Sequence, residues 1–405
     1  MDIGNKIRNR RKELGLTQAQ LAGNDINRSL ISQIESGRCL PSLDTLKIIS
    51  QRLDKPIAYF LNEDSFDDAA STLISMSETA LQSGNTEEAI MKAKQAVSLS
   101  SLSGNTSIEA RSYLALGLSL IKAYRLTEAV ENLERALTYF TLNGDTKDIP
   151  ICLLNLGHCY YMMEEFSKAK TIYQRSLQHT SFRKTNLALH AETLVFLGST
   201  LVRLGDLPEA LGVFQSALSE LRFLYEPKLM INAYLGTGWC YYKLQKIDDA
   251  IKISNEAIKL SQANNQYRLT ELRHNLGIYL SAKGNWEEAY SLWTACLHYY
   301  QDCGNTMLQA SILEEMARYW IQRRDLTRAR DICRSALECL GDNECYLQRG
   351  RLYRLLAVIE ASGENAQSKH ELLTLAIGYF RRVQAAGEIA LTLKYADGEF
   401  PEREL

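Results

Sequence analysis

The chain has 405 residues, of which 46% are hydrophobic and 23% charged, with a net charge of −2, the ordinary make-up of a folded soluble protein. No run of eighteen apolar residues occurs, so no membrane span is expected, and the opening MDIGNKIRNRRKEL lacks the apolar core of a signal peptide, which makes a cytoplasmic protein the expectation. Six prolines and few runs of Val, Ile and Thr favour helices almost throughout.

Charge is unevenly spread: residues 1–62 hold ten Lys and Arg against six Asp and Glu, leaving 36 against 42 in the remainder. A nucleic-acid contact is therefore expected at the N-terminal end. Residues 3–14, IGNKIRNRRKEL, set Ile3, Ile7 and Leu14 on one helical face, with Arg8, Arg10, Arg11 and Lys12 largely outside it. Gly15 stops that helix and Thr17 caps a short second one over TQAQLA. The polar turn Gly23-Asn24-Asp25 leads to a third helix, NRSLISQIESG, capped by Asn27 and ended by Gly37. PSLDTLKIISQRLDKPIAYFL then reads as a fourth helix from Ser42 and a short fifth after Pro56.

LTQAQLA, LISQIESG and PSLDTLKIISQRL together resemble the Cro/repressor class of helix-turn-helix domain over about 60 residues. In such a domain the third helix enters the major groove with its N-terminal side chains at the base edges. That makes Asn27, Arg28, Ser29, Ser32 and Gln33 the candidate readers, since Arg holds guanine and Gln adenine with paired hydrogen bonds. The resemblance implies that Gln18 bonds a phosphate, with Arg10 and Arg38 adding charge there; such contacts position the protein without reading sequence. The plainer alternatives are that Glu35 bonds within the domain and that Ser32 is a solvated helix residue.

From about residue 69 the chain repeats. A small residue recurs at Ser77, Gly117, Gly157, Gly198, Gly238, Gly277, Ala317 and Ala357, always 39 to 41 residues apart. Twelve positions later come Ala89, Ala129, Ala169, Ala210, Ala250, Ala289 and Ala329, with Lys369 as the exception. Seven later again stand Ala96, Ala136, Ser176, Ala217, Ala257, Cys296, Ala336 and Ala376. Each unit reads as two helices, the small residue letting the pair approach closely, with turns explicit at Gly84-Asn85, Gly205-Asp206 and Gly284-Asn285. NLGHCYYMMEEFSKAKTIYQRSL and NLGIYLSAKGNWEEAYSLWTACL resemble the tetratricopeptide pattern, which covers roughly residues 69–380 with a period near 40. The expected architecture is all-α: a five-helix repressor-like domain at 1–62, a linker at 63–70, a repeat domain at 71–380 and a cap or tail at 381–405. The resemblance implies a right-handed superhelical solenoid of about eight repeats whose stacking forms one continuous core.

Its concave surface would be lined mainly by the first helices, where polar residues are unexplained by packing: Arg111, Asn155, His158, Glu192, Asn232, Trp239, Asn275, Arg318 and Arg351. Asn satisfies a peptide backbone as both donor and acceptor, and Arg holds a carboxylate with two parallel bonds. Asn155, Asn232 and Asn275 are the foremost candidates, a solvated channel wall being the alternative. Most of the 21 tyrosines fall at packing positions and are expected in the core.

The order of the two domains resembles the Rap/NprR/PlcR group of bacterial quorum-sensing regulators. The resemblance implies double-stranded DNA and a short signalling peptide as partners, homodimerisation through the array, and a peptide-dependent spacing of the two DNA readers. It also leaves a second reading, in which the array chiefly docks a protein such as a response regulator. No phosphate-cradling, zinc-protease or nucleophile-elbow motif is present and the six histidines are scattered, so neither an enzyme nor a cofactor or metal requirement is expected. The nine cysteines lack C-x-x-C pairs and are expected as reduced thiols.

Overall fold

The computed structural model describes residues 3–39, 41–55, 57–60, 63–179, 186–224, 226–261, 266–341, 344–361, 366–383 and 385–396. Every regular element among the described residues is an α-helix. The chain falls into two compact units, Met1–Leu204 and Gly205–Leu405.

The first unit opens with five short helices: α1 (Ile3–Glu13), α2 (Gln18–Ala22), α3 (Arg28–Glu35), α4 (Leu43–Arg52) and α5 (Ile57–Phe60). Thr17 and Gln20 close α2 with a reciprocal capping box, while Asn27 and Ser42 accept backbone N–H bonds at the starts of α3 and α4. The core gathers Ile7, Leu21, Ile31, Ile34, Leu46, Ile49, Leu53 and Phe60. Leu14, expected on the inner face, is 40% exposed because α1 ends at Glu13, and Leu16 packs against the core instead. Gly4 lets α1 touch the α3 backbone, for a Cβ there would meet the Ile34 carbonyl oxygen at 2.1 Å. Residues 61–62 lie outside the described residues. Residues 63–70, expected as a linker, are the opening turns of the helix Glu63–Gln82, and they bury Phe66 and Ala70.

Behind this domain come helix pairs, A and B in each repeat. The first unit holds Glu63–Gln82 with Thr86–Ser103, Thr106–Lys122 with Leu126–Leu142, Asp148–Met162 with Phe166–Leu177, and the fourth helix A, Leu187–Leu204. The second unit holds the fourth helix B, Leu207–Leu221, then Pro227–Lys243 with Ile247–Leu260 and Gln266–Lys283 with Trp286–Asp302. It continues with Thr306–Gln322 and Leu326–Leu340, Tyr346–Ala361 and Ala366–Arg382, and a terminal helix, Ala386–Ala396. The alanine columns are sealed: Ala89, Ala129, Ala169, Ala210, Ala250, Ala289 and Ala329 are all fully buried. Small residues on helix A admit large ones from helix B, so that a Cβ on Gly277 would meet Trp293 Nε1 at 2.4 Å. Leu187–Leu204 has the length and hydropathy of a membrane span, against the expectation that no segment would. It packs as a repeat helix, burying Ala191, Leu194, Leu197 and Leu201.

In the seven repeats whose A-to-B turn is described, one left-handed residue stands seven places after the small residue. Gly84, Gly205 and Gly284 supply it in three repeats, yet Tyr124, Glu164, Gln245 and Arg324 adopt φ of 57, 61, 63 and 60° in four others. A side chain in that region costs about 1–2 kcal/mol, partly offset by the greater unfolded-state freedom of glycine. Tyr124 is 78% exposed and packs on nothing that its loss would empty. Tyr124→Gly is therefore expected to raise stability by about 0.5–1 kcal/mol, read as a higher urea midpoint with an unchanged slope.

Candidate functional site

The reading face of α3 is built from its N-terminus. Arg28, Ser29, Ser32 and Gln33 are exposed along one side while Ile31 and Ile34 hold the other in the core. Asn27 is committed to the fold: its Oδ1 accepts from Ser29 N at 2.9 Å and from Ser29 Oγ at 3.0 Å. Arg28, Ser32 and Gln33 thus keep side chains directed to solvent, and Arg38 is exposed just past the helix. Two of the expected phosphate residues have internal duties. Arg10 donates from Nε to the Leu53 carbonyl at 3.2 Å and pairs with Glu13, and Gln18 donates from Nε2 to Glu35 at 2.9 Å.

Glu35 is the centre of that network. Arg11, expected outside the apolar face, is buried and donates to both carboxylate oxygens, at 2.5 and 2.9 Å, while its third nitrogen reaches the Leu16 carbonyl at 2.7 Å. Burial alone would raise the Glu35 carboxyl, but the hydrogen bonds from Arg11 and Gln18 and the charges of Arg11 and Arg8 hold it below the ordinary range.

On the repeats, counting the small residue of each helix A as position 8, the nine candidate ligand residues fall only at positions 2, 6 and 9. At 3.6 residues per turn these span about 60° of one helical face. In the first unit Arg111 is exposed, 3.9 Å from Asp148, and Asn155 donates back to its own helix at the Ile151 carbonyl, 2.8 Å away. His158 lies edge-on to Phe196 at 5.1 Å, with a buried Nδ1 that has no partner among the described residues. Burial, helped by Lys122, holds its imidazole pKa down. Glu192 is half-buried.

In the second unit Asn232 and Asn275 are half-buried and make no side-chain hydrogen bond among the described residues. Trp239 lies against Tyr242, centroids 5.6 Å apart, with the Lys243 ammonium 4.8 Å from the indole. The two arginines are already paired. Arg318 bonds Glu314 at 2.8 Å, one turn back on its own helix, and Gln348 from the next repeat donates to the same carboxylate at 3.1 Å. Burial pushes the neighbouring Glu315 carboxyl up to about 7, against the pull of Arg318. Arg351 bonds Glu388 of the terminal helix at 2.8 Å, a partner 37 residues away that no spacing rule predicts.

Among the described residues no group of His, Cys, Asp and Glu is placed to hold a metal ion. All nine cysteines are free thiols, and burial pushes those of Cys152, Cys159, Cys296 and Cys333 up to about 12, far from the thiolate that reactivity needs.

Comparison with known proteins accords with both parts. Residues 7–60 match the helix-turn-helix family, and residues 108–180 and 189–263 match the tetratricopeptide repeat family. The chain is 24% identical over 303 residues to the transcriptional activator NprA of Geobacillus stearothermophilus, a span that covers 72% of this chain and 70% of that one. The apo form of the quorum sensor NprR from B. thuringiensis has the same fold, with a TM-score of 0.64 at 14% identity over 94% of this chain and all of that one. Apo RapI does so with a TM-score of 0.59 at 13% identity, over 68% of this chain and 99% of that one. NprA, which shares sequence over most of both chains, is by name an activator of transcription.

Proposed function

We propose that this chain, a DNA-binding transcription regulator of the Rap/NprR/PlcR type, binds a short signalling peptide along the helix-A faces of its repeats, and that the peptide alters dimer geometry and with it DNA affinity. The observation that carries the reading is that the polar helix-A face at positions 2, 6 and 9 holds half-buried asparagines with no side-chain hydrogen bond among the described residues. Asn232 and Asn275 fit a peptide backbone best, having donors and acceptors that nothing in the described fold consumes. NprR is called a quorum sensor, and that role accords with this one. A cytoplasmic homodimer would present two α3 helices to half-sites about 34–36 Å apart or a multiple of that. Peptide binding and DNA binding must then change each other's affinity by the same factor.

The test is analytical ultracentrifugation of the protein with a labelled duplex from its own promoter, with and without synthetic peptides encoded by short reading frames beside its gene. A dimer on DNA whose affinity moves with one peptide supports the sensor. DNA binding that no peptide alters favours the reading in which the array docks a protein such as a response regulator. In the first case, Asn232→Ala combined with Asn275→Ala is expected to weaken the peptide by roughly tenfold, at about 0.5–1.5 kcal/mol per lost hydrogen bond. DNA affinity without peptide should stay as it was; equal loss of both would assign these residues to folding.

A further inference from the structure

The buried flank beside the candidate ligand face changes character at its C-terminal end. Position 5 of helix A is aliphatic in the first five repeats, as Ile74, Leu114, Leu154, Val195 and Leu235, and ionisable in the last three, as His274, Glu314 and Arg354. In the eighth repeat Arg354 stands one turn from Arg351, and both point at one carboxylate. Glu388 takes Arg351 Nε at 2.8 Å and Nη2 at 2.7 Å on Oε1, and Arg354 Nη1 at 2.6 Å on Oε2. Thr392, one turn along, lies 3.3 Å from the same Arg354 nitrogen. Arg354 is 6% exposed, its guanidinium set over the rings of Phe380 and Tyr395. Two guanidinium groups converging on two oxygens of one carboxylate is the geometry of a carboxylate receptor. The paired charges hold Glu388 below the ordinary carboxylate range although its burial would raise it.

We propose that Arg351 and Arg354 form a binding site for a peptide α-carboxylate, and that Glu388 of the terminal helix occupies it in cis, so that a carboxylate ligand and the terminal helix compete. Nearby, Arg318 and Gln348 both bond Glu314, a carboxylate of the repeats, whereas Arg351 and Arg354 reach one that lies beyond the last helix pair. The terminal helix depends on its docking contacts. Its eleven residues, Ala386–Ala396, are too few for a stable isolated helix. Its apolar seat is Tyr395 and Leu391 on Ala357, Val358 and Leu373, and Leu393 is 49% exposed on the outside. The eighth repeat is also the one whose helix-B alanine is replaced, by Lys369. The site rests on the peptide reading for its natural ligand, and its chemistry is testable without it.

The test is hydrogen exchange of residues 386–396 in the full chain, with N-acetyl-leucine or N-acetyl-leucinamide at matched ionic strength. The acid is expected to speed exchange there several-fold while the amide leaves it unchanged; equal effects of the two, or none from either, overturn the site. Glu388→Gln should speed exchange of the same helix without any probe, and Glu388→Asp, which keeps the charge, should lie between. If Glu388→Gln exchanges like the wild type, Glu388 is no occupant. A second arm offers the full chain randomised synthetic heptapeptides as free acids and as C-terminal amides. Selective capture of free acids, increased by Glu388→Gln, supports competition, and equal capture of both forms overturns it. Capture of neither form counts against the peptide sensor itself, while the exchange measurement still decides the site.

Discussion

Glu35→Ala is expected to unfold the helix-turn-helix domain and leave the repeats folded. Glu35 and Arg11 are 5% and 9% exposed, and their paired hydrogen bonds, with that of Gln18, tie α1, α2 and α3 to one carboxylate. Removing the carboxylate strands a guanidinium whose remaining acceptor is the Leu16 carbonyl. Breaking a buried pair from one side costs about 3–5 kcal/mol. A domain of this size has a total stability of about 3–9 kcal/mol at 0.05–0.15 kcal/mol per residue, so the loss takes from about a third to all of it. The readout is hydrogen exchange in the full chain: amides of Ile31 and Ile34 should lose protection while those of the sealed alanine columns keep theirs. Replacing both partners by apolar residues, Arg11→Met with Glu35→Leu, should restore much of the protection, since a buried pair is worth far less than half of one costs. If Glu35→Ala keeps α3 protected, the network is ornamental.

The same carboxylate fixes the sign of the acid response. Its folded pKa is depressed, so its stabilisation is complete above the ordinary value of 4.5 and disappears as the pH falls through the lower folded value. The helix-turn-helix domain should accordingly lose stability in acid once the pH falls below 4.5.

Much of the fold was legible because its signals are periodic. Small residues every 39 to 41 positions mark helix A, and the alanines twelve and nineteen positions later mark helix B; the structure buries them as that pattern requires. The turns were legible only where glycine announces them, at Gly84, Gly205 and Gly284; Tyr124, Glu164, Gln245 and Arg324 adopt the same backbone without any residue-type signature. The opening of the first repeat looks like a linker in sequence because its acidic stretch masks Phe66 and Ala70, which decide the matter by burial. The candidate ligand face was visible as residue types, and its register follows from the period. The internal partners at either candidate site were not, because Arg11 with Glu35 and Arg351 with Glu388 are joined by tertiary packing across 24 and 37 residues.

Arg28→Ala and Gln33→Ala are expected to abolish sequence discrimination while sparing the fold. Both side chains are exposed on α3 and directed to solvent, so their loss leaves no cavity and no buried group unpaired. A bidentate base contact is worth about 1–3 kcal/mol against the wrong base, which is about 5- to 150-fold for each substitution and up to roughly 10⁴ for the pair where the two act independently. The measurement compares a labelled duplex from the chain's own promoter with an unrelated duplex of equal length, at several salt concentrations. Affinity for the promoter should fall to that for the unrelated duplex. Arg38→Ala, by contrast, should weaken both duplexes alike and lower the salt slope by about one. Asn27→Ala separates fold from reading on the same helix: losing the cap to Ser29 should cost about 1 kcal/mol of stability and leave the preference between duplexes largely intact. If Arg28→Ala and Gln33→Ala weaken both duplexes equally, these side chains only hold the backbone of DNA, and the bases are read from elsewhere.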